Sequence, residues 1–234
     1  MVDFIQLLAQ FLAVMVVISF HEFAHAFAAY KCGDPTAKFA GRMTLNPFKH
    51  FDPFGIVMFV LVGFGWAKPV PVNPYNFDNY AKGSFWTSAA GIFVNYLMAF
   101  LFYPLWILVI IYVLPIEAIS GTYLAILIST LFSALFSYSL SFAVFNLLPF
   151  YPLDGFRIFD SVDKKKGRVY RFLRQYGYYI LMGLIGLSFL ADILSPYVSY
   201  FAYLDVLGFI MGYATNFFGK PILLFWNWIF GLIY

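Results

Sequence analysis

The chain has 234 residues, 63% of them hydrophobic, 23% aromatic and only 11% charged, with a formal net charge of +3 and a mean hydropathy of +0.82. Soluble domains are about half apolar and a quarter charged, so an ordinary core cannot bury this excess, and lipid must be the solvent for much of it. Composition thus excludes an ordinary soluble domain, and the single cysteine, Cys32, excludes an internal disulfide framework.

In chain order, the first apolar stretch covers 4–30. Met1-Val2-Asp3 has no basic n-region and no convincing small-residue cleavage site follows, so this stretch is expected to stay in the mature protein. Residues 36–45 roughly alternate polar with small or apolar side chains, which predicts a strand. The patch at 54–66, with Gly55, Gly63 and Gly65, is too short and glycine-rich to span and is expected to form a re-entrant or interfacial loop. Residues 66–73, rich in valine and proline, suit a sheet edge.

Segments 86–115, 122–148 and 176–195 are long enough to cross a hydrocarbon core of about 30 Å as helices. Segment 198–214 holds Asp205 and two glycines, and 221–234 is short enough to lie in the interface. No repeat of fixed period is visible. The expectation is an all-α polytopic membrane protein of four to six transmembrane helices, with a small β-ribbon or re-entrant loop between the first two spans. It forms one membrane-embedded domain over 1–234, with its core in 4–160 and C-terminal helices in 176–234.

Charge gives an orientation. Lys31, Lys38, Arg42, Lys49, Lys68 and Lys82 lie between the first two spans, and Arg157, Lys164, Lys165, Lys166, Arg168, Arg171 and Arg174 lie between the third and fourth. Lys220 follows the fifth segment, while the loops at 115–121 and 195–199 carry no basic residue. If the spans alternate, all the basic residues fall on one side, and the positive-inside rule makes that side cytoplasmic and the N-terminus external. The protein is therefore expected in the cell's inner (cytoplasmic) membrane. The run at 164–174 serves as a topology signal, with no nucleic-acid partner implied.

The first span contains His21-Glu22-Phe23-Ala24-His25. Residues four apart share a helix face, so the two imidazoles can grip one ion, while Glu22 on the adjacent flank can reach a water at that ion. Zinc suits the task because three protein ligands leave a fourth position for water, whose pKa falls towards neutrality. Two histidines and a glutamate inside an apolar helix cost several kcal/mol unless paired, hydrated or metal-bound. Phe4 to His21 is about 25 Å of helix, which sets the site within the bilayer but towards its cytoplasmic side.

A third ligand is needed. Asp192 sits near the outer end of its span and Asp205 lies in a doubtful one, whereas Asp154 closes Asn146-Leu147-Leu148-Pro149-Phe150-Tyr151-Pro152-Leu153-Asp154-Gly155. Pro149 and Pro152 should break the third helix and let a carboxylate turn inward from an irregular segment, near the membrane level of His25.

The pairing of His-Glu-x-x-His with Asn-x-x-Pro-x-x-Pro-Leu-Asp-Gly resembles the site-2 protease family of intramembrane zinc metalloproteases, in its compact bacterial branch without a PDZ domain. Gly33-Asp34-Pro35-Thr36-Ala37, Gly41-Arg42-Met43-Thr44-Leu45-Asn46-Pro47, His50-Phe51-Asp52-Pro53 and Trp66-Ala67-Lys68-Pro69-Val70-Pro71-Val72-Asn73 extend the resemblance over roughly 15–160. It implies that His21, His25 and Asp154 hold one zinc ion per chain, that Glu22 is the catalytic glutamate, and that Asn146 lies close to the active site. Two departures touch no ligand. The family often has Gly-Pro-x-x-Asn in its second core helix where this chain has Gly91-Ile92-Phe93-Val94-Asn95, and Phe156 follows Leu-Asp-Gly where a small residue is common.

Asn95 and Asn146 are candidate donors to the oxyanion of a tetrahedral intermediate, against a role as glue between helices. His50 is expected to order its loop, and Cys32 is not expected to be a ligand. The reading is hydrolysis of peptide bonds in or near transmembrane segments of membrane-protein substrates, with zinc-bound water activated by Glu22. A ribbon over 36–45 and 66–73 would receive the unwound substrate by strand addition. Partners are such a substrate, the lipid bilayer, and a regulatory membrane partner or a second copy of the chain. A metal-binding pseudoprotease and a small transporter are the rivals. The presence of Glu22 argues against the first, and the match of two motifs against the second.

Overall fold

Among the described residues, eight α-helices follow one another: α1 Val2–Lys31, α2 Thr36–Phe39, α3 Pro53–Val62, α4 Tyr80–Leu108, α5 Tyr123–Leu147, α6 Asp154–Val162, α7 Arg168–Leu194 and α8 Val206–Ile233. The structure is a computed structural model and describes residues 2–62 and 65–233. Met1, the Gly63 and Phe64 of the 54–66 patch, and Tyr234 at the end of the 221–234 segment lie outside the described residues. Among the described residues, four helices are long and apolar enough to cross a membrane: α1, α4 continued by a π turn to Val113, α5 and α7. The chain is therefore an all-α, multi-pass membrane protein.

Local chemistry starts the spans. The side chain of Asn79 accepts from the Lys82 amide at the head of α4, and that of Thr122 accepts from Ala125 at the head of α5. Helices α1, α4 and α5 pack on one another through small or slender residues, with Ala13 and Val17 meeting Met98, Ala134 and Leu135. Lipid gives no hydrophobic drive between helices, so close packing of this kind is what holds them.

The C-terminal segments differ from the sequence expectation. Residues 206–233 form the single helix α8, and Lys220-Pro221 lies inside it. Asp205 caps its start by accepting from the Gly208 amide at 2.8 Å and from the Ser188 hydroxyl. Proline is tolerated in such a helix where neighbours supply donors, and the Tyr96 hydroxyl donates to the Phe218 carbonyl in that turn. Trp226 Nε1 donates to the Phe100 carbonyl, and the Tyr103 hydroxyl to Asn227. The order of these contacts sets α8 beside α4, with later residues of one meeting later residues of the other. Lys220 is accordingly an exposed residue within a helix, not a loop residue.

The expected β-ribbon does not form. Residues 36–39 are helical, and among the described residues the only β-type pairing is an isolated bridge between Phe51 and Ala67. The cause is Asp34, fully buried, whose carboxylate accepts from the amide and hydroxyl of Thr36, from the Asn73 amide and from Asn76 Nδ2. This winds 36–39 into a turn of helix and ties 73–76 beneath it. Burial raises the Asp34 pKa, but these hydrogen bonds outweigh it and leave the carboxyl below its ordinary range.

The described part of the 54–66 patch is mostly helical, and the residues that flank the patch, Phe51 and Ala67, are bridged. Its helix α3, with 10 residues, is about 15 Å long, and the Lys68 amide donates to the His50 carbonyl beside the Phe51–Ala67 bridge. His50 orders the turn through its ring, with Nε2 2.7 Å from the Thr44 carbonyl.

At one end of the bundle the Asp78 amide donates to the Cys32 carbonyl, joining the end of α1 to the approach to α4, and the Tyr80 hydroxyl donates to Asp160 of α6. Asp160 also pairs with Lys166 and accepts from the Tyr170 hydroxyl. Lys31, Lys82, Arg157, Lys166 and Arg174 therefore belong to segments gathered at this end. Phe156, the departure after Leu-Asp-Gly, is buried against Tyr170, with ring centroids 5.6 Å apart, and fastens α6 to the start of α7.

Candidate metal centre

His21 and His25 occupy one face of α1, both buried. Opposite them, α5 stops at Leu147 and the chain turns through Pro149 and Pro152 before α6 begins at Asp154. The turn is tight because residue 155 is glycine: a Cβ there would lie 2.2 Å from the Leu147 carbonyl oxygen. Asp154 is thereby delivered, buried, to the two imidazoles.

The donor atoms form a triangle. His21 Nε2 and His25 Nε2 are 2.9 Å apart, and Asp154 Oδ2 lies 3.0 Å from His25 Nε2 and 3.4 Å from His21 Nε2. Among the described residues, these three form the group of histidine, cysteine and acidic side chains able to hold a metal ion. Bonds of about 2.0–2.1 Å meeting at a tetrahedral centre place donors about 3.3 Å apart, so the triangle has the size zinc requires.

The chemistry of the donors fits as well. His25 Nδ1 lies 2.7 Å from the Thr87 carbonyl, which can only accept, so the proton sits on Nδ1 and the Nε2 lone pair faces Asp154. Asp154 Oδ2 is buried without a hydrogen-bond partner. Lone pairs converging from a carboxylate and an imidazole repel one another unless a cation lies between them.

Helix α4 shapes the pocket around both rings. Thr87, Gly91 and Asn95 follow one another at four-residue spacing on one face. A Cβ at residue 91 would lie 2.6 Å from His25 Nε2 and from His21 Cε1, so only glycine lets the helix approach. Asn95, fully buried, brings its Nδ2 to 3.0 Å from His21 Nδ1.

Glu22 is buried next to this triangle in sequence, and its Oε2 accepts from the Val70 amide at 2.8 Å. Val70 stands between Pro69 and Pro71, neither of which has an N–H, so it is the one amide donor of that tripeptide. The segment is pinned on either side, by Arg42 donating to the Lys68 and Pro69 carbonyls and by Asp34 accepting from Asn73.

Of the residues singled out from the sequence, His21, His25, Asp154 and Asn95 are brought together. Asn146 is not joined to them. It is half-buried in the last turn of α5 and donates to the Phe142 carbonyl of its own helix. Thr87 and Val70 escaped sequence reasoning because both act through backbone atoms, which leave no mark on residue type.

Comparison with known proteins agrees with this geometry. A model of peptidase family M50 matches residues 111–187, the stretch that carries Asn146 and Asp154. The protein named "Putative zinc metalloprotease YwhC" of Bacillus subtilis (strain 168) is 41% identical over 157 residues, 66% of this chain and 70% of that one. No solved structure is matched. The chain belongs to peptidase family M50, the site-2 proteases.

Proposed function

We propose that the chain is an intramembrane zinc metalloprotease that hydrolyses peptide bonds in or near transmembrane segments of membrane-protein substrates. In this reading His21, His25 and Asp154 hold one zinc ion and Glu22 is the general base. The observation that carries it is the buried triangle of two imidazole nitrogens and a carboxylate oxygen, with sides of 2.9, 3.0 and 3.4 Å, in an otherwise apolar bundle. The name of the Bacillus subtilis relative supports both the metal and the activity.

Zinc bound there supplies a Lewis acid that polarises the scissile carbonyl and lowers the pKa of water. Glu22 takes the proton of the attacking water and passes it to the leaving amine. The Val70 amide fixes Oε2 and leaves Oε1 for that proton. The cluster of lysines and arginines at the end of the bundle beyond His25 supports that end as the cytoplasmic one, from which water would enter.

The test is cleavage of a panel of single-span substrates in detergent or liposomes by the wild-type chain and by Glu22→Gln, with bound zinc assayed in both. Cleavage should fall about 10²–10⁴-fold in the variant while zinc is retained. A wild-type chain without zinc, or a variant that cleaves at full rate, overturns the reading.

A further inference from the structure

The partner of His21 raises a question of protons. Its Nε2 belongs to the donor triangle, and a metal-binding imidazole is neutral with its proton on the other nitrogen. His21 Nδ1 is then a donor, yet the atom facing it at 3.0 Å is Asn95 Nδ2, also a donor, while Asn95 Oδ1 is buried with no partner. A carboxamide's two ends are alike in shape, and hydrogen bonding decides which of them faces the ring. A half-turn of the amide gives Oδ1 a donor and the ring an acceptor, and moves Nδ2 to the position where Oδ1 has no partner.

We infer that Asn95 is a positioning residue of the metal centre, its Oδ1 accepting the His21 Nδ1 proton and so holding the Nε2 lone pair towards the ion. This rests on the metal-binding reading above and replaces the oxyanion role that the sequence suggested for Asn95. The opposite amide orientation, with Nδ2 donating to a bare Nδ1, would put the proton on Nε2 and prevent that atom from binding any metal.

Geometry supports the assignment independently of the amide's orientation. Asn95 is 0% exposed and lies one turn beyond Gly91, which admits the rings, and two turns beyond Thr87, whose carbonyl accepts from His25 Nδ1. One stripe of α4 thus meets the far nitrogen of both imidazoles. His25 is served by a backbone carbonyl, which no substitution can remove. His21 is served by a side chain, which makes its orientation testable.

The experiment measures zinc affinity by chelator competition, and the visible absorption of the Co²⁺-substituted protein, for wild type, Asn95→Ala, Asn95→Leu and Asn95→Asp in detergent. Alanine and the similarly shaped leucine should each weaken zinc about 10–100-fold and shift the Co²⁺ bands. Aspartate, which keeps the acceptor, should hold affinity within a few-fold of wild type. Leucine answers the question if the alanine variant does not fold. Unchanged affinity and spectrum in Asn95→Leu or Asn95→Ala overturn the inference, as does an aspartate variant as weak as alanine. Failure of the underlying reading looks different: His21→Ala would then bind zinc as tightly as wild type.

Discussion

Helices α4 and α7 are both apolar enough to cross a membrane, and the protein uses them in opposite ways. The apolar stretch that begins in α4 is slightly more buried inside the protein than that of α7. The larger difference lies in what is buried. Helix α4 turns Thr87, Gly91 and Asn95 towards α1, whereas α7 hides Tyr170, Gly177, Leu181 and Ala191 and turns residues such as Tyr179, Phe189 and Leu190 outward. Hydropathy alone therefore shows which helices belong in lipid but not which of them carries chemistry. A buried polar side chain in an apolar helix needs a partner, and Asn95 of α4 meets one in His21 of α1.

If this is right, the largest effect comes from breaking the site that α4 and α1 share. Asp154→Ala removes the only anionic corner of the triangle, and both zinc and proteolysis should be lost, measured by metal analysis of the purified protein and by the cleavage assay. Two neutral imidazoles are not a sufficient set, since catalytic zinc sites use three protein ligands. Retention of stoichiometric zinc by Asp154→Ala would detach α6 from the site.

How far the sequence could take this reading depends on whether the decisive contact was local. His21 and His25 were legible because four-residue spacing on a helix is itself the geometry of the site. Asp154 was legible because two prolines announced a break at the right depth. The pairing of Asn95 with His21 spans 74 residues and is set by how two helices pack, so the residue could be nominated but its role could not. The strand expected over 36–45 failed because one buried carboxylate, Asp34, outweighed a weak alternation. The two segments expected at 198–214 and 221–234 are joined in one helix from Val206, which α4 holds through Tyr96 and Phe100.

Asp34 supplies the next effect in size, at the rim of the site. Its hydrogen bonds hold the 66–76 segment, and through it the Val70 amide on Glu22. Because the folded-state pKa is lowered, the stabilisation is fully present above the unfolded value of about 3.9 and is lost as pH falls through the folded value. Asp34→Ala should cost about 1.5–3 kcal/mol at neutral pH, and its deficit relative to wild type should shrink on acidification below pH ~4. Thermal unfolding in detergent from neutral pH downward reads this directly. A deficit that stays constant with pH would mean the loss comes from packing and not from the carboxylate.

The smallest effect tests the outward side of the comparison. Met98 is buried between α1 and α5, whereas Leu190 on α7 is exposed. Met98→Ala leaves a cavity among tightly packed helices and should cost about 2–5 kcal/mol. Leu190→Ala exchanges one apolar lipid contact for another and should stay within about 0.5 kcal/mol. Unfolding of the two variants side by side in the same detergent makes the comparison direct. If Leu190→Ala proved as costly as Met98→Ala, the outer face of α7 would have to be packed against protein. Loss of the cost on dilution would then identify that protein as a second copy of the chain, since self-association depends on concentration and contact with lipid or detergent does not.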